Sequence, residues 1–245
     1  MFRHRLVSVL AVAAILGVSP AVFAQSGPGK FNVEFGIGWD NSISGNINSS
    51  AIGTLNNQTV AILKNSYEDV YGTGLNMRFG GGYLFSEATE ARVTFTFQSL
   101  DADLVHMGDY GASNLYGQYS DYQSLSLDVG LRRYGRSNTN LRPYAEGSIG
   151  IGFVDKTDIR LAAPQANLVV DNNDFYDQTT AFTLGVNVGL LWNMSESIGI
   201  FGQIGFRYVT GMSEVDDLAG TGLDTINDKS ARWTMPFLTG FRFGF

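Results

Sequence analysis

From residue 30 onward the chain alternates between large apolar residues and small or polar ones. Phe31, Val33, Phe35, Ile37 and Trp39 fall on one face of an extended segment, with Asn32, Glu34, Gly36, Gly38 and Asp40 on the other. Phe182, Leu184, Val186, Val188, Leu190 and Trp192 alternate in the same way with Thr183, Gly185, Asn187, Gly189 and Leu191. A period of two belongs to a β-strand with two unlike faces. Eight stretches carry it, at about 30–40, 74–86, 91–102, 122–134, 141–154, 180–192, 197–210 and 231–245. Each is near or above the roughly 9–11 residues that a tilted strand needs to cross a bilayer. The connections alternate too. Those at Ser86 to Glu90, Gly135 to Asn140 and Asn193 to Glu196 are short, whereas 41–73, 103–121, 155–179 and 211–230 are long and rich in Asn, Asp, Gly and Ser. Short and long connections in strict alternation predict an antiparallel up-and-down meander with two unlike ends and both termini at the short-turn end.

Composition decides which face looks out. A soluble barrel of the lipocalin kind would carry many Lys and Glu on its outer face. Here the less oily face is mostly Gly, Ser, Thr and Asn with isolated charges, as suits the crowded interior of an eight-stranded barrel. The expected fold is therefore all-β: an eight-stranded antiparallel transmembrane β-barrel, oily face to lipid, with short periplasmic turns and four long extracellular loops. Trp39, Trp192 and Trp233 all fall on the oily face near strand ends, where amphipathic rings settle at a membrane interface.

Other features agree with export. Arg3, His4 and Arg5 precede an apolar stretch from Leu6 to Val18, followed by Pro20 and by Val22-Phe23-Ala24 before Gln25. This layout predicts a cleaved signal peptide over residues 1–24 and a barrel domain over 25–245. Removing 1–24 takes away Arg3 and Arg5 and leaves 14 basic and 23 acidic residues, a net charge of −9 without a basic patch, which argues against nucleic acid as a partner. No cysteine is present, so no disulfide holds the exported chain.

The last thirteen residues, WTMPFLTGFRFGF, remain oily on one face to the end, through Phe237, Phe241, Phe243 and Phe245. A closed barrel explains this, since its last strand pairs with its first and faces lipid along its length. Pro236 lacks a backbone donor and predicts a bulge or a missing bond in the ladder. The ending resembles the C-terminal signal of bacterial outer-membrane barrels, and the layout resembles eight-stranded barrels of the OmpA, OmpX and OmpW kind. RPYAEGSIGIGF at 142–153 and GFRYVTG at 205–211 also look like that family. The resemblance implies a place in the bacterial outer membrane, outer-membrane lipid as surroundings, and recognition of the ending by periplasmic chaperones and the barrel-assembly machinery.

The strand parity puts Glu34, Arg78, Arg92, Asp128, Arg132, Arg142, Glu146, Arg207, Arg232 and Arg242 inside, seven arginines against three acids. Charges in a lumen need partners. A turn centred near 137–138 sets Arg132 opposite Arg142 and Asp128 nearly opposite Glu146, a cluster of two acids and two guanidiniums. At the seam, Phe245 near Phe31 brings Arg242 beside Glu34 as a clasp between first and last strands. The bland reading is packing of a plugged barrel with a structural or surface-interaction role through its loops; the sharper one is a gate or narrow channel, favouring anions. The loops reveal no particular surface ligand. A lipid-modifying enzyme would rest on His106 alone, the one histidine after the signal segment, so no enzyme is expected. Asp171, Asp174 and Asp177 lack calcium-loop spacing, and GSIGIG at 147–152 and FGGG at 79–82 lead into no helix. No metal and no cofactor is expected.

Overall fold

The structure, a computed structural model, describes residues 30–137, 139–215, 221–227 and 230–245; the expected signal segment, 1–24, lies outside them. Eight strands close into an antiparallel barrel: β1 (Lys30–Ser44), β2 (Thr73–Ser86), β3 (Thr89–Leu100), β4 (Tyr122–Tyr134), β5 (Leu141–Val154), β6 (Thr179–Asn193), β7 (Ile198–Val209) and β8 (Arg232–Gly244). Each pairs with its neighbours in sequence, and β8 pairs with β1, Asn32 opposite Gly244 and Trp39 opposite Phe237. Closure leaves no edge, so every strand has a partner on both sides. Following the paired residues from Glu34 once round the barrel returns to β1 about ten residues further on, a stagger that tilts the strands by roughly 40°.

The oily face is outside. Phe35, Phe95, Val129, Ile149, Val186, Phe206 and Phe241 project outward and are exposed, while Arg132, Glu90 and Asn76 are buried within. Trp39 stacks on Phe237 with ring centroids 4.9 Å apart, and Trp233 packs on Tyr208 at 5.0 Å, both toward the long-loop end. Trp192 lies at the short-turn end, opposite Leu141 and Ile200. Between β7 and β8 the pairing lapses from Ile204–Phe237 to Arg207–Thr234 without a change of register; Pro236, which cannot donate, lies in that gap.

The long connections depart from the expectation of plain polar loops. They build a cap. Residues 51–55, 58–62, 104–110, 113–119, 157–163, 168–177 and 213–214 form a seven-stranded sheet, and a short helix, α1 (Tyr67–Tyr71), sits beneath it. Each loop is tied to the next by backbone pairing. Val60 lies opposite Tyr110, Ile159 opposite Tyr119 and Tyr176 opposite Glu214. The Thr54 amide then donates to the Thr221 carbonyl at 2.8 Å, and the Ser49 amide to that of Ile226 at 2.7 Å, linking the fourth loop back to the first. Inside lies an apolar core that includes Ile47, Val60, Met107, Leu115, Tyr119, Leu161 and Phe175. Burial pushes the phenols of Tyr67 and Tyr119 well above the usual tyrosine range. No described helix is long and apolar enough to cross a membrane.

Candidate functional site

The lumen is filled in layers. Nearest the short-turn end is a small apolar ring of Tyr134, Tyr144, Leu191 and Phe201, with Leu84 packed against it. Arg142 lies at this rim, donating to the Glu87 carbonyl at 2.7 Å with its guanidinium 4.5 Å from the centre of the Tyr134 ring.

Above the ring is a layer of three carboxylates and four guanidiniums. Arg132 is the centre. Its Nη1 donates to Glu34 Oε1 at 2.6 Å and its Nε to Glu146 Oε2 at 2.8 Å. Its plane lies over Tyr144, 4.0 Å from the ring centre. Arg92 bridges Glu34 and Glu90, each at 2.7 Å, and reaches Glu146 at 3.3 Å. Arg242 lies 3.0 Å from Glu90 and 3.6 Å from Glu34, and Arg78 lies 3.6 Å from Glu146. The Tyr134 hydroxyl donates to Glu90 at 2.6 Å. Carboxylates cross-linked by forked guanidiniums in a dry interior make strong, directional bonds. Small residues make the room: an added Cβ at Gly82 would strike the Glu90 carboxylate, and one at Gly189 would lie 2.5 Å from the Tyr144 ring.

The next layer pairs Asp128 with Arg207 at 3.2 Å. Thr183 donates to Asp128 at 2.6 Å, and Ser126 donates to it at 3.0 Å. The outermost layer centres on Asp40, whose Oδ2 accepts from Gln98 and from Asn76. Arg232 donates to Gln98 at 3.1 Å, and its guanidinium carbon sits over Tyr122, 3.8 Å from the ring centre.

This arrangement corrects the register expected for the fourth and fifth strands. Arg132 faces Glu146, and Asp128 faces Gly150. The turn centres two residues later than its composition suggests, so Arg142 stays at the rim and Asp128 joins Arg207. Glu34 does face Arg242 across the seam. Two inward acids, Glu90 and Asp40, lie outside the expected charge set. Glu90 stands at the start of β3, two residues before Arg92 and on the same face, but reads as part of a turn. Asp40 follows the inward parity of β1 at its far end. With both counted, inward acids rise from three to five, and the expected excess of positive charge shrinks.

The other candidates are scattered. His106 is exposed on the cap, its ring 5.8 Å from that of Tyr116. Asp171 pairs with Arg160 at 2.6 Å and Asp174 with Lys156 at 3.1 Å. Among the described residues no group of three or more His, Asp and Glu is placed to hold a metal ion.

Known proteins agree with this architecture. No curated protein matches the sequence. The fold is similar to that of a major outer membrane protein from Thermus thermophilus, at 14% identity over 88% of this chain and 99% of the other, with a TM-score of 0.52. Weaker likenesses include OprG from Pseudomonas aeruginosa (14% identity, 89% and 97% covered, TM-score 0.45) and Neisserial surface protein A (11%, 89% and 99%, 0.43). Residues 10–230 match the family described as outer membrane protein beta-barrel domain. The chain belongs to that family: it is an eight-stranded barrel of the bacterial outer membrane, embedded in its lipid.

Proposed function

We propose that the protein is a closed, non-catalytic barrel that holds a rigid acidic cap at the cell surface, with a structural or surface-interaction role. The observation that supports this reading is that side chains crowd the lumen and that the loops above it are tied to one another. The lumen is packed with hydrogen-bonded side chains, and the four loops share one core and one sheet. Ordering that much loop backbone costs about 1–2 kcal/mol per residue, which a passive tether would not need.

Charge adds a direction. The four long connections, residues 45–72, 101–121, 155–178 and 210–231, hold 16 acidic and 4 basic residues, a formal −12. The strands and short turns hold 7 acidic and 10 basic, a formal +3. The cap thus presents a negative field to a basic partner or to bridging cations. In the same reading, residues 1–24 are removed on export, Trp39, Trp192 and Trp233 sit at the lipid interfaces, and Phe237, Phe241, Phe243 and Phe245 serve chaperones and the barrel-assembly machinery during insertion.

Planar-bilayer recording of the full chain tests the closed reading, with no resolved conductance steps expected; steady open-channel current would defeat it. Salt-sensitive binding of a basic polypeptide, weakened in D101N/D103N/D109N, tests the role of the cap. Replacement of His106 by Ala is expected to leave any lipid hydrolysis or transfer unchanged.

A further inference from the structure

At the short-turn end the barrel holds a cavity of about 440 Å³, bounded by the start of β1, the residues that lead into β5, the β6–β7 turn and the end of β8. Its charge is one-sided. Lys30, Arg142 and Arg242 line it, and Glu196, exposed on the β6–β7 turn, is the one acid among the described lining residues. Arg242 is committed to the lumen, 3.0 Å from Glu90. Lys30 and Arg142 have no carboxylate partner among the described residues. The register that sets Arg132 opposite Glu146 leaves Arg142 opposite Leu191, away from every lumen acid. Arg142 is nonetheless held in place. Its Nη2 donates to the Glu87 carbonyl at 2.7 Å, and its guanidinium carbon sits over Tyr134, 4.5 Å from the ring centre. A guanidinium fixed by one nitrogen and one face keeps its other donors in set directions before any ligand arrives. Asn140 and Asn193 bring amide side chains to the same wall, with the Asn193 backbone amide donating to the Asn140 carbonyl at 2.8 Å.

We propose that this cavity is a binding site for a phosphate group, hydrogen-bonded by the remaining guanidinium donors of Arg142 and held by Lys30 as a point charge. Guanidinium donors fit the oxygens of a phosphate in pairs, and such charge-assisted bonds are the strong ones. Two cations without acid partners match the nearly two negative charges that a phosphate monoester carries at neutral pH, where a lone carboxylate brings one. The volume falls within the range of small-molecule sites, about 300–1,000 Å³, so an organic body can enter with the phosphate. The mouth faces the periplasm. The bearer is therefore a phosphorylated solute of that compartment or the headgroup of a lipid at the inner surface of the membrane. The site lies at the opposite end of the barrel from the acidic cap, and it stands whether or not the cap has a partner.

The test is calorimetric titration of the full chain in uncharged micelles with two probes, glycerol 3-phosphate and dihexanoyl phosphatidic acid. Saturable binding of the first assigns the site to a solute. Binding of the second alone assigns it to a lipid headgroup. In either case Arg142→Gln and Lys30→Gln should each weaken binding by about tenfold or more, as the loss of a charged hydrogen-bond partner entails. Arg136→Gln removes an exposed cation from the same end that does not line the cavity, and should change the affinity by less than about twofold. Failure of both probes to bind the unaltered chain overturns the site. So does binding that survives Arg142→Gln, or that Arg136→Gln weakens as much, since the attraction would then be a general effect of surface charge. Retention of heat-modifiable gel mobility identifies the folded variants, and the titration of the unaltered chain needs none of them.

Discussion

The barrel and the cap are built from one chain with opposite signs. In the barrel, Val129 and Phe206 face outward and Arg132 and Glu146 are packed inside. In the cap, Met107 and Leu115 are packed inside, and Asp101 and Asp103 face outward. Both regions use β-strands with alternating faces. The difference lies in what surrounds them. Hydrocarbon offers no hydrogen bonds, so polar side chains in the spanning part turn inward and must satisfy one another. Water rewards the reverse, and the loops collapse on an ordinary apolar core. Specificity in the barrel therefore comes from hydrogen-bond geometry and in the cap from packing.

The largest effect is expected from Arg132→Ala. It leaves Glu34 and Glu146 buried with fewer partners, and stability should fall by about 3–5 kcal/mol. The urea midpoint of the full chain in micelles measures this, and an unmoved midpoint would mean that the layer does not hold the barrel. Leu115→Ala tests the other region. It removes a fully buried side chain from the cap and should cost about 3 kcal/mol locally. Loop proteolysis should accelerate while the barrel keeps its midpoint; equal loss in both would make cap and barrel one cooperative unit.

A smaller effect is expected from Gly189→Ala, whose Cβ would lie 2.5 Å from the Tyr144 ring and 2.6 Å from the Gly202 carbonyl oxygen. Overpacking of this kind costs about 1–3 kcal/mol, and the same substitution at the outward Gly147, which nothing crowds, should be tolerated. The smallest concerns α1. The Ser66 hydroxyl, and then its amide, hold the Asp69 carboxyl below the usual aspartate range. A lowered value means that this support is complete above the ordinary aspartate pKa, near 4, and is lost as pH falls through the folded value. Amide exchange over Tyr67–Tyr71 should speed up below about pH 4; Asp69→Asn should remove that dependence, and Ser66→Ala, which keeps the backbone amide, should only weaken it.

Much of the spanning part is legible in the sequence because its period is long and unbroken. The strand at 122–134 and the one at 141–154 coincide with β4 and β5 to the residue. The cap is harder to read. Val60 and Ile62, Val105 and Met107, and Ile159 and Leu161 do alternate, but each run is two or three residues deep among Asn, Asp and Gly. Such short runs cannot show that they meet. The register of the turn after β4 is also invisible, because RSNT offers several turn positions of similar quality, and a shift of two residues exchanges Arg142 for Glu146 opposite Arg132.

The number of spanning strands, their direction, and which face meets lipid are all written locally, in the alternation of residues and the length of the connections. The tertiary structure alone decided which carboxylate meets which guanidinium, that Glu90 and Asp40 belong to the lumen, and that four loops share one core. Those contacts join residues from strands far apart in the chain, and their partners are set by the stagger with which the barrel closes.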